Sequence, residues 1–380
     1  MEGNDRSAPL EAPQAKYVRP RIKAAYRVLG LHDGRFGLRA VAPEILTFPA
    51  DAEMTIHLLS LLKGRLTVDE IVEQLELRWG TGVRAAVLDG LEGLNAVGAI
   101  EDEAECDRCP LEPAVADRFS RNLAFFGIAA GDTGNTHAIA RRLRDRHVCL
   151  LGLGGIGSYA VVTLMGLGIG RLRCVDWDVV ESSNLNRQVL YREEDIGRLK
   201  TAAAEEALSS RSKLTRFEFV NQRLEGRDDV RRAILGVDFV LFSADRPKAL
   251  WRWVNQACFD AGVPLSRCGY SGYRGYVGPL VVPGQTACLE CFGVEVGHQP
   301  IPEPLQWINQ QATTPSIAPL NAILANVQAW ETVRYLGGLG NAKTLSGMWS
   351  FDLLELTARW IPCERNPECP RCGSDDHRRT

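Results

Sequence analysis

The sequence predicts an α/β protein in which a small winged-helix domain precedes a Rossmann-like domain. A short apolar strand at residues 148–151 stops at a glycine-rich turn, and a second strand at 172–175 ends at Asp176. A strand, a glycine turn, a helix and an acidic strand end in this order are typical of a nucleotide-binding βαβ unit. Near the N-terminus, a hairpin pattern followed by three helical patterns predicts the smaller domain.

The chain length of 380 residues exceeds what one hydrophobic core usually organises. Residues 1–16 are polar with repeated prolines and are expected to be disordered. The first domain is expected at 17–103, and a linker rich in charge and proline at 104–117. The second domain is expected at 118–375, followed by a short tail at 376–380.

The composition bounds the class of partner. With 44 basic and 47 acidic side chains, the formal net charge is -3, which gives no case for nucleic acid or an anionic membrane. No apolar stretch is long enough to span a bilayer. Eleven cysteines in a chain with no signal peptide fit a reducing compartment, so a cytoplasmic location is expected.

The first domain shows strand patterns, then helical patterns, then a returning strand. A turn at 32–34 is expected to join the two strands, and Thr67 with Glu70 forms a capping box for the second helix. This order of elements predicts a winged-helix domain. The alternatives for its role are a generic winged helix and a domain that binds a peptide. DNA binding is disfavoured because the third helix carries few cations. The expected elements are 26–31, 35–40, 54–62, 68–77, 83–97 and 99–101.

Four glycines follow the strand at 148–151 and allow the backbone to approach a phosphate at the start of a helix. They are Gly152, Gly154, Gly155 and Gly157. Alone, this pattern fits NAD or FAD as well as ATP. Arg187 and Lys200 favour ATP, because fixed cations and magnesium stabilise the charge that develops on a reacting α-phosphate. The alternative is that both side chains are solvated surface charges.

These motifs, with SNLNRQ at 183–188 and RFSRN at 118–122, resemble the ThiF/MoeB adenylyltransferase family, bacterial relatives of ubiquitin-activating enzymes. The resemblance extends over about residues 118–372 and implies an adenylation domain with a mixed sheet that uses ATP and Mg²⁺. It implies that Asp176 binds ribose and that Asp245 holds magnesium. It also implies a homodimer in which Arg121 reaches the partner's ATP site.

The resemblance assigns catalytic roles to four residues, Arg121, Arg187, Lys200 and Asp245. The expected ATP-binding residues are Gly152, Gly154, Gly155, Gly157, Asp176, Asp178, Asn184, Arg187, Gln188, Lys200 and Asp245. The chain departs from the family at Arg246, where asparagine is usual, and at Asn122, where glutamine is more common. Neither departure removes a charged group that the chemistry needs.

Four cysteines form two CxxC pairs with the spacing of a closed tetrahedral zinc site: Cys288, Cys291, Cys369 and Cys372. Unrelated reduced pairs or disulfides are the alternative. The family resemblance implies a structural zinc here, away from the chemistry. A third pair, Cys106 and Cys109, is expected to be reduced, because a second metal site would need Cys363 or a histidine close by.

Residues 294–320 correspond in the family to a crossover loop that covers the acyl-adenylate. The chain has no cysteine between Cys291 and Cys363, so a thioester or persulfide step on this loop is not expected. Another nucleophile is expected to capture the activated carboxyl group. His298 is a candidate base, with a solvated histidine as the alternative interpretation.

The first domain resembles PqqD-like peptide-recognition elements in phrases such as LLKGRLTVDEIVEQL and LNAVGAIEDE. The resemblance implies a leader peptide bound as an added strand. Together the two domains resemble the microcin C and pantocin maturation enzymes, which implies ATP-dependent adenylation of a carboxyl group on a ribosomally made precursor peptide. The alternatives are activation of a sulfur-carrier C-terminus and a non-catalytic leader-binding scaffold. A scaffold would be expected to lose the ATP-binding groups, which this chain retains.

Overall fold

The computed structural model describes residues 16–30, 36–40, 46–48, 52–131, 134–292 and 315–373. Contacts divide the chain into two compact units, 1–138 and 139–380. Several predictions fall outside the described residues. They concern the N-terminal tail before residue 16, the turn at 32–34, most of the loop at 294–320 with His298, and the tail at 376–380.

The first unit contains two small sheets and a set of helices. The three-stranded sheet has the antiparallel order β2-β3-β4, and β1 pairs with β5 in a second sheet. The elements are β1 Pro20–Ile22, β2 Arg27–Gly30, β3 Phe36–Arg39, β4 Leu46–Phe48, α1 Ala52–Leu61, α2 Val68–Trp79, α3 Arg84–Ala96, β5 Ile100–Asp102, α4 Glu103–Arg108, α5 Pro113–Arg118 and α6 Ser120–Ala129, with α7 Thr136–Asp145 spanning the boundary between the units.

The three helices predicted for the first unit are present, and their apolar faces form one buried cluster with Leu38 of β3. The capping box at the start of α2 is confirmed. The Glu70 N–H donates to Thr67 Oγ1 at 3.2 Å, and the Thr67 N–H donates to Glu70 Oε2 at 2.8 Å. Both donors would otherwise lack partners at the helix start, so local sequence alone defines where α2 begins.

The returning strand β5 pairs with β1, a strand that the sequence patterns did not reveal. The Asp102 carboxylate holds this pairing, because it accepts hydrogen bonds from the N–H groups of Val18 at 2.8 Å and Arg19 at 2.9 Å. Asp102 also caps α4, accepting from the Ala104 N–H at 3.0 Å. The segment expected to be a linker therefore contains two short helices, α4 and α5, and its role as a linker stays a prediction.

The second unit is built on one eight-stranded sheet with the order β13-β12-β11-β10-β9-β6-β7-β8. The elements that form it are β6 His147–Leu151, α8 Gly155–Gly166, β7 Arg171–Asp176, α9 Lys200–Arg211, β8 Arg216–Asn221, α10 Arg227–Ala233, β9 Phe239–Phe242, α11 Leu250–Ala261, β10 Leu265–Ser271, β11 Arg274–Val281, α12 Ala318–Gly337, β12 Gly347–Asp352 and β13 Thr357–Pro362.

Five neighbouring strands, β10, β9, β6, β7 and β8, are parallel, and β11 to β13 are antiparallel. The predicted α/β fold with a mixed sheet is therefore confirmed. All residues of β6 and β9 are buried, as expected for central parallel strands whose two faces are covered. Within the described ranges, no helix combines the length and apolar character needed to cross a bilayer.

The strand order places a crevice at the carboxyl end of β6. The chain runs from β6 to β7 and β8 on one side of the sheet and then returns to β9 on the other side of β6. Connections that leave a strand in opposite directions open such a crevice, where open α/β sheets bind ligands. Residues that follow the carboxyl ends of β6, β7 and β9 therefore lie near one another.

Candidate functional site

The turn between β6 and α8 is shaped by its glycines. Gly152 has φ +105°, a conformation that other residues rarely adopt. A Cβ on Gly157 would lie 2.0 Å from the Gly152 carbonyl oxygen, so only glycine allows this turn. A Cβ on Gly154 would meet no atom within 4 Å. Gly154 therefore faces open space at the start of α8, where a phosphate group can approach the free N–H groups.

Asp176, at the end of β7, is hydrogen-bonded to this turn. Its Oδ2 accepts a hydrogen bond from the Leu153 N–H at 2.6 Å, and its Oδ1 accepts from the Asp178 N–H at 2.9 Å. Two backbone donors thus fix the orientation of the carboxylate. Each oxygen keeps a second lone pair, which suits acceptance from a ribose hydroxyl.

Lys200 lies beside Asp178 although the two are 22 residues apart in the chain. The Lys200 Nζ donates to Asp178 Oδ2 at 2.9 Å, and the Lys200 N–H donates to the Asp178 carbonyl oxygen, also at 2.9 Å. An antiparallel bridge between Val179 and Leu199 brings them together. The Lys200 side chain is only 6% exposed, whereas that of Asp178 is 44% exposed. The ammonium group has two further N–H donors available for a ligand.

The SNLNRQ segment forms a compact turn next to this pair. Asn184 is buried, and its Oδ1 accepts from the Glu181 N–H at 3.2 Å. The Arg187 guanidinium donates through Nη1 to the Ser183 carbonyl oxygen at 2.6 Å and to Asn186 Oδ1 at 3.0 Å. The segment's own polar groups therefore hold the arginine, and its remaining N–H groups stay available for an anion.

Tyr191 is a site residue that the sequence patterns did not reveal. It is buried, and its hydroxyl donates to the Leu153 carbonyl oxygen at 3.0 Å. Burial raises the pKa of Tyr191 well above its ordinary value, so the phenol remains a neutral donor. Gln188 is also buried, and its Oε1 has no hydrogen-bond partner among the residues described. Leu153 thus receives one bond from Tyr191 and gives one to Asp176, which ties the polar segment to the glycine turn.

Asp245 follows β9 at the other side of the turn. The N–H of Ala244, its neighbour, donates to the Leu151 carbonyl oxygen at 3.0 Å, which places Asp245 next to the end of β6. Its side chain is exposed, and a solvated carboxylate at this position fits a hydrated magnesium ion. Arg121 lies on α6 in the first unit, and its predicted role in a partner's site stays a prediction.

Asn321 on α12 is a second site residue that the sequence patterns did not reveal. Its side chain is fully buried against Gly155, where an added Cβ would lie 2.4 Å from Asn321 Nδ2. Nδ2 donates to Ser316 Oγ at 3.2 Å, and the Ser316 and Tyr270 hydroxyls share a bond of 2.6 Å. Asn321 Oδ1 is buried without a partner in the part of the chain that the structure describes. Gly155 is thus a packing requirement, unlike Gly154.

This contact predicts that a Gly155→Ala variant is destabilised despite the higher helix propensity of alanine. Overpacking against Asn321 should cost about 1–3 kcal/mol in the free energy of unfolding, and the Gly155→Ala/Asn321→Ala double variant should recover at least half of that loss. The stability lost in Gly157→Ala should not be recovered by adding Asn321→Ala, because the Cβ at 157 clashes with the Gly152 carbonyl oxygen. Urea unfolding of Gly155→Ala, Gly157→Ala, Asn321→Ala and the two double variants with Asn321→Ala tests this. Additive losses at 155 and 321 would contradict the contact.

The four predicted zinc ligands come together from two segments of the second unit that are 81 residues apart in the sequence. Their sulfur atoms all lie within 4.8 Å of one another, with 3.6 Å between Cys288 and Cys369 and 3.1 Å between Cys291 and Cys372. Tetrahedral zinc with bonds of about 2.3 Å separates its sulfur ligands by about 3.8 Å. The arrangement can therefore hold a metal ion of this kind.

The surroundings of these sulfurs also suit thiolates. The backbone N–H groups of Glu290 and Cys291 donate to the Cys288 sulfur, and the Asn366 N–H donates to the Cys291 sulfur at 3.5 Å. Burial raises the pKa of the Cys288 thiol to about 11, so a bound cation is what would favour the thiolate there. All eleven cysteines are free, which disfavours the disulfide alternative.

Cys106 and Cys109 are free thiols. Cys106 is buried and accepts a hydrogen bond from Asn135 Nδ2 at 3.0 Å. Within the described part of the chain, the four-cysteine group is the only cluster of three or more histidine, cysteine or acidic side chains with metal-binding geometry. Among the residues that the structure describes, the third CxxC pair has no further ligands of the kind that a second metal site would require.

The profile of the ThiF family matches residues 119–371. The SAMP-activating enzyme E1 of Haloferax volcanii is 30% identical over 264 residues, which cover 69% of this chain and 91% of that protein. The sulfur carrier protein ThiS adenylyltransferase of Escherichia coli is 29% identical over 260 residues, which cover 68% of this chain and 96% of that protein.

Solved structures share the fold over most of the chain. E. coli MccB superposes with a TM-score of 0.76 at 23% identity, covering 94% of this chain and 97% of MccB. PaaA superposes with a TM-score of 0.68 at 19% identity, covering 90% of this chain and 99% of PaaA. The Rossmann-like fold and the similarity to these two proteins, both expected from the motifs, are confirmed.

Proposed function

Because the chain belongs to the ThiF family, we propose that it uses ATP to adenylate a carboxyl group of a ribosomally made precursor peptide. The relatives named above are an adenylyltransferase and an activating enzyme, and the chain is an adenylyltransferase of this family. The observation that carries the proposal is a continuous set of hydrogen bonds from the glycine turn through Asp176 and Asp178 to the buried Lys200. This chain of hydrogen bonds links a buried cation to the turn that would bind the phosphates.

In the proposed reaction, the triphosphate lies at the start of α8 and the ribose contacts Asp176. A peptide carboxylate oxygen attacks the α-phosphorus, the bond from that phosphorus to the bridging oxygen breaks, and pyrophosphate leaves with the electron pair. Lys200 and Arg187 offset the negative charge that develops on the phosphate oxygens. Asp245 would hold magnesium, which supplies further positive charge to the phosphates when bound.

The peptide part of the proposal rests on the first unit. Strand β2 lies at the edge of its sheet, with β3 as its strand partner among the described residues, and Val28 on β2 is 44% exposed. Such an edge offers backbone N–H and C=O groups to an added strand. A leader peptide bound there would hold the precursor. MccB, which shares the fold, has been solved with ATP and with N-formylated MccA.

Three further features belong to the same proposal. The four-cysteine cluster would hold a structural zinc. Two copies of the chain would form a homodimer in which Arg121 contacts the partner's ATP site. The eleven free cysteines fit a reducing cytosol as the place of action.

A second candidate is activation of the C-terminus of a sulfur-carrier protein. The names of the relatives favour it, since one of them acts on the sulfur carrier ThiS. The absence of cysteine between Cys291 and Cys363 in the sequence argues against it, because a later sulfur-linked step on that loop would lack its nucleophile. A scaffold function is disfavoured because Asp176, Arg187 and Lys200 are all retained.

ATP–pyrophosphate exchange tests the proposal. The full chain is incubated with Mg²⁺, ATP and labelled pyrophosphate, together with a short peptide encoded beside its gene, with a small β-grasp protein ending in Gly-Gly, or with neither. Of these three reactions, we expect exchange only in the one that contains the peptide. A C-terminally amidated peptide then shows whether the terminal or a side-chain carboxyl group reacts. Exchange with the β-grasp protein would establish the second candidate. Leader binding without any exchange would establish a scaffold.

A further inference from the structure

A cavity lined by charged side chains lies at the amino ends of β6, β7 and β8, with a volume of about 320 Å³. His147 is the first residue of β6, whose last residue precedes the glycine turn. Four residue steps along a strand span about 13 Å. The cavity therefore lies at the amino ends of these strands, and the candidate nucleotide site lies at their carboxyl ends. Nothing in the proposed reaction uses it.

One wall of the cavity is a fixed guanidinium group. Arg173 donates through Nη1 to the carbonyl oxygens of Ala233 and Leu235, both at 2.8 Å, and through Nε to Glu218 Oε2 at 2.6 Å. Its side chain is only 14% exposed. Because three acceptors from two segments hold it, its position is set before any ligand arrives.

The floor of the cavity is His147, which is 7% exposed. Its backbone N–H donates to Asp238 Oδ2 at 2.7 Å, and its Nδ1 contacts the Gly236 carbonyl oxygen at 3.2 Å. Burial and the nearby Arg173 lower the pKa of His147 below its ordinary value. The imidazole therefore serves as a neutral hydrogen-bonding group at physiological pH.

The rim carries two arginines at paired strand positions. Arg171 on β7 lies directly opposite Arg216 on β8 in the strand register, and like charges at paired positions destabilise a sheet. Among the residues described, neither has an acidic oxygen within 4.0 Å. Among the described residues, Glu218 is the only acidic side chain that lines the cavity. Its Oε2 accepts from Arg173 Nε and lies 3.5 Å from His147 Nε2. Three arginines and one glutamate leave an excess of two positive charges.

We propose that this cavity binds a small oxyanion of the phosphate class. Guanidinium groups match phosphate oxygens with paired N–H donors, and a dianion would neutralise the excess charge and relieve the repulsion between Arg171 and Arg216. The volume admits inorganic phosphate or pyrophosphate. The site goes beyond the proposed function, because it lies apart from the residues assigned to ATP and can be filled while a nucleotide is bound.

The test uses the full chain saturated with a non-hydrolysable ATP analogue and Mg²⁺, so that the candidate nucleotide site is occupied. Calorimetric titration with pyrophosphate, and separately with inorganic phosphate, then measures binding outside the nucleotide site. We expect binding to at least one of the two, weakened about tenfold or more in an Arg171→Ser/Arg216→Ser variant. An Arg211→Ser/Arg359→Ser variant loses the same charge elsewhere and should bind as the unmodified chain does.

Thermal unfolding gives a second readout. In buffer free of oxyanions, the Arg171→Ser/Arg216→Ser variant should melt no lower than the unmodified chain, since a repulsion is removed. Added pyrophosphate should then raise the melting temperature of the unmodified chain more than that of the variant, again with the analogue present. Equal weakening in both double variants would show general electrostatic attraction, and no binding of either probe at millimolar concentration would overturn the proposal.

Discussion

Replacing Lys200 by alanine is expected to lower peptide-dependent ATP–pyrophosphate exchange by at least about 100-fold. The lysine is buried, and its ammonium group is held at 2.9 Å from Asp178 Oδ2, which is linked through Asp176 to the glycine turn. A charge fixed in a poorly solvated position stabilises a transition state without the cost of reorganising water. Its removal should therefore act on the chemical step more than on ATP affinity.

The controls for this variant follow from the same geometry. Lys213→Ala removes an exposed lysine just beyond the end of α9 and should leave exchange unchanged. Lys200→Ala should unfold at nearly the same urea concentration as the unmodified chain, because Asp178 is 44% exposed and stays hydrated without its partner. Exchange in Lys200→Ala above a tenth of the original rate, with the fold intact, would show that Lys200 does not act on the phosphates.

The parts of the site that the sequence predicted are those determined by local backbone chemistry. The glycine turn follows from its need for φ above zero at Gly152 and for close approach at Gly157, and both requirements appear as glycines in the sequence. The acidic end of β7 is also local, because a strand that stops at a carboxylate is visible in the pattern. The capping box before α2 was predictable for the same reason.

The parts that the sequence did not predict depend on contacts between distant segments. Tyr191 bonds to Leu153, 38 residues earlier, and Asn321 packs on Gly155, 166 residues earlier. The pairing of Arg171 with Arg216 requires the register of two parallel strands, which no turn between them specifies. A periodic pattern shows which face of an element is buried, and it does not show what that face meets.

The first unit illustrates the same limit. The sequence predicted three helices and a hairpin there, and their positions agree with the structure to within a few residues. It did not reveal β1 and β4, because three-residue strands are too short to show alternation. The proposed leader peptide would need the edge of β2 that has no strand partner among the described residues, and this edge is a property of strand order rather than of local pattern.

The other large expected effect concerns the four-cysteine cluster. A Cys369→Ser/Cys372→Ser variant is expected to lose nearly all of one bound zinc per chain and to melt about 10 °C lower. Zinc bound by these thiolates would join the segment after β13 to the segment after β11, and the cysteines belong to or pack against the buried cluster that includes residues of α11. In this variant two cysteine thiols and two serine hydroxyls would stand in place of a closed metal site, and the C-terminal segment would lose its attachment.

A matched variant separates metal binding from the loss of cysteine itself. Cys106→Ser/Cys109→Ser changes the third CxxC pair, which has no further ligands in the described structure, and should keep the full zinc content. Metal content is measured by mass spectrometry of the purified protein, and melting by calorimetry with and without a chelator. Full zinc in the Cys369→Ser/Cys372→Ser variant would place the metal elsewhere. Zinc loss without a lower melting temperature would contradict the predicted structural role, because a metal site that joins two segments must contribute its binding free energy to the folded state.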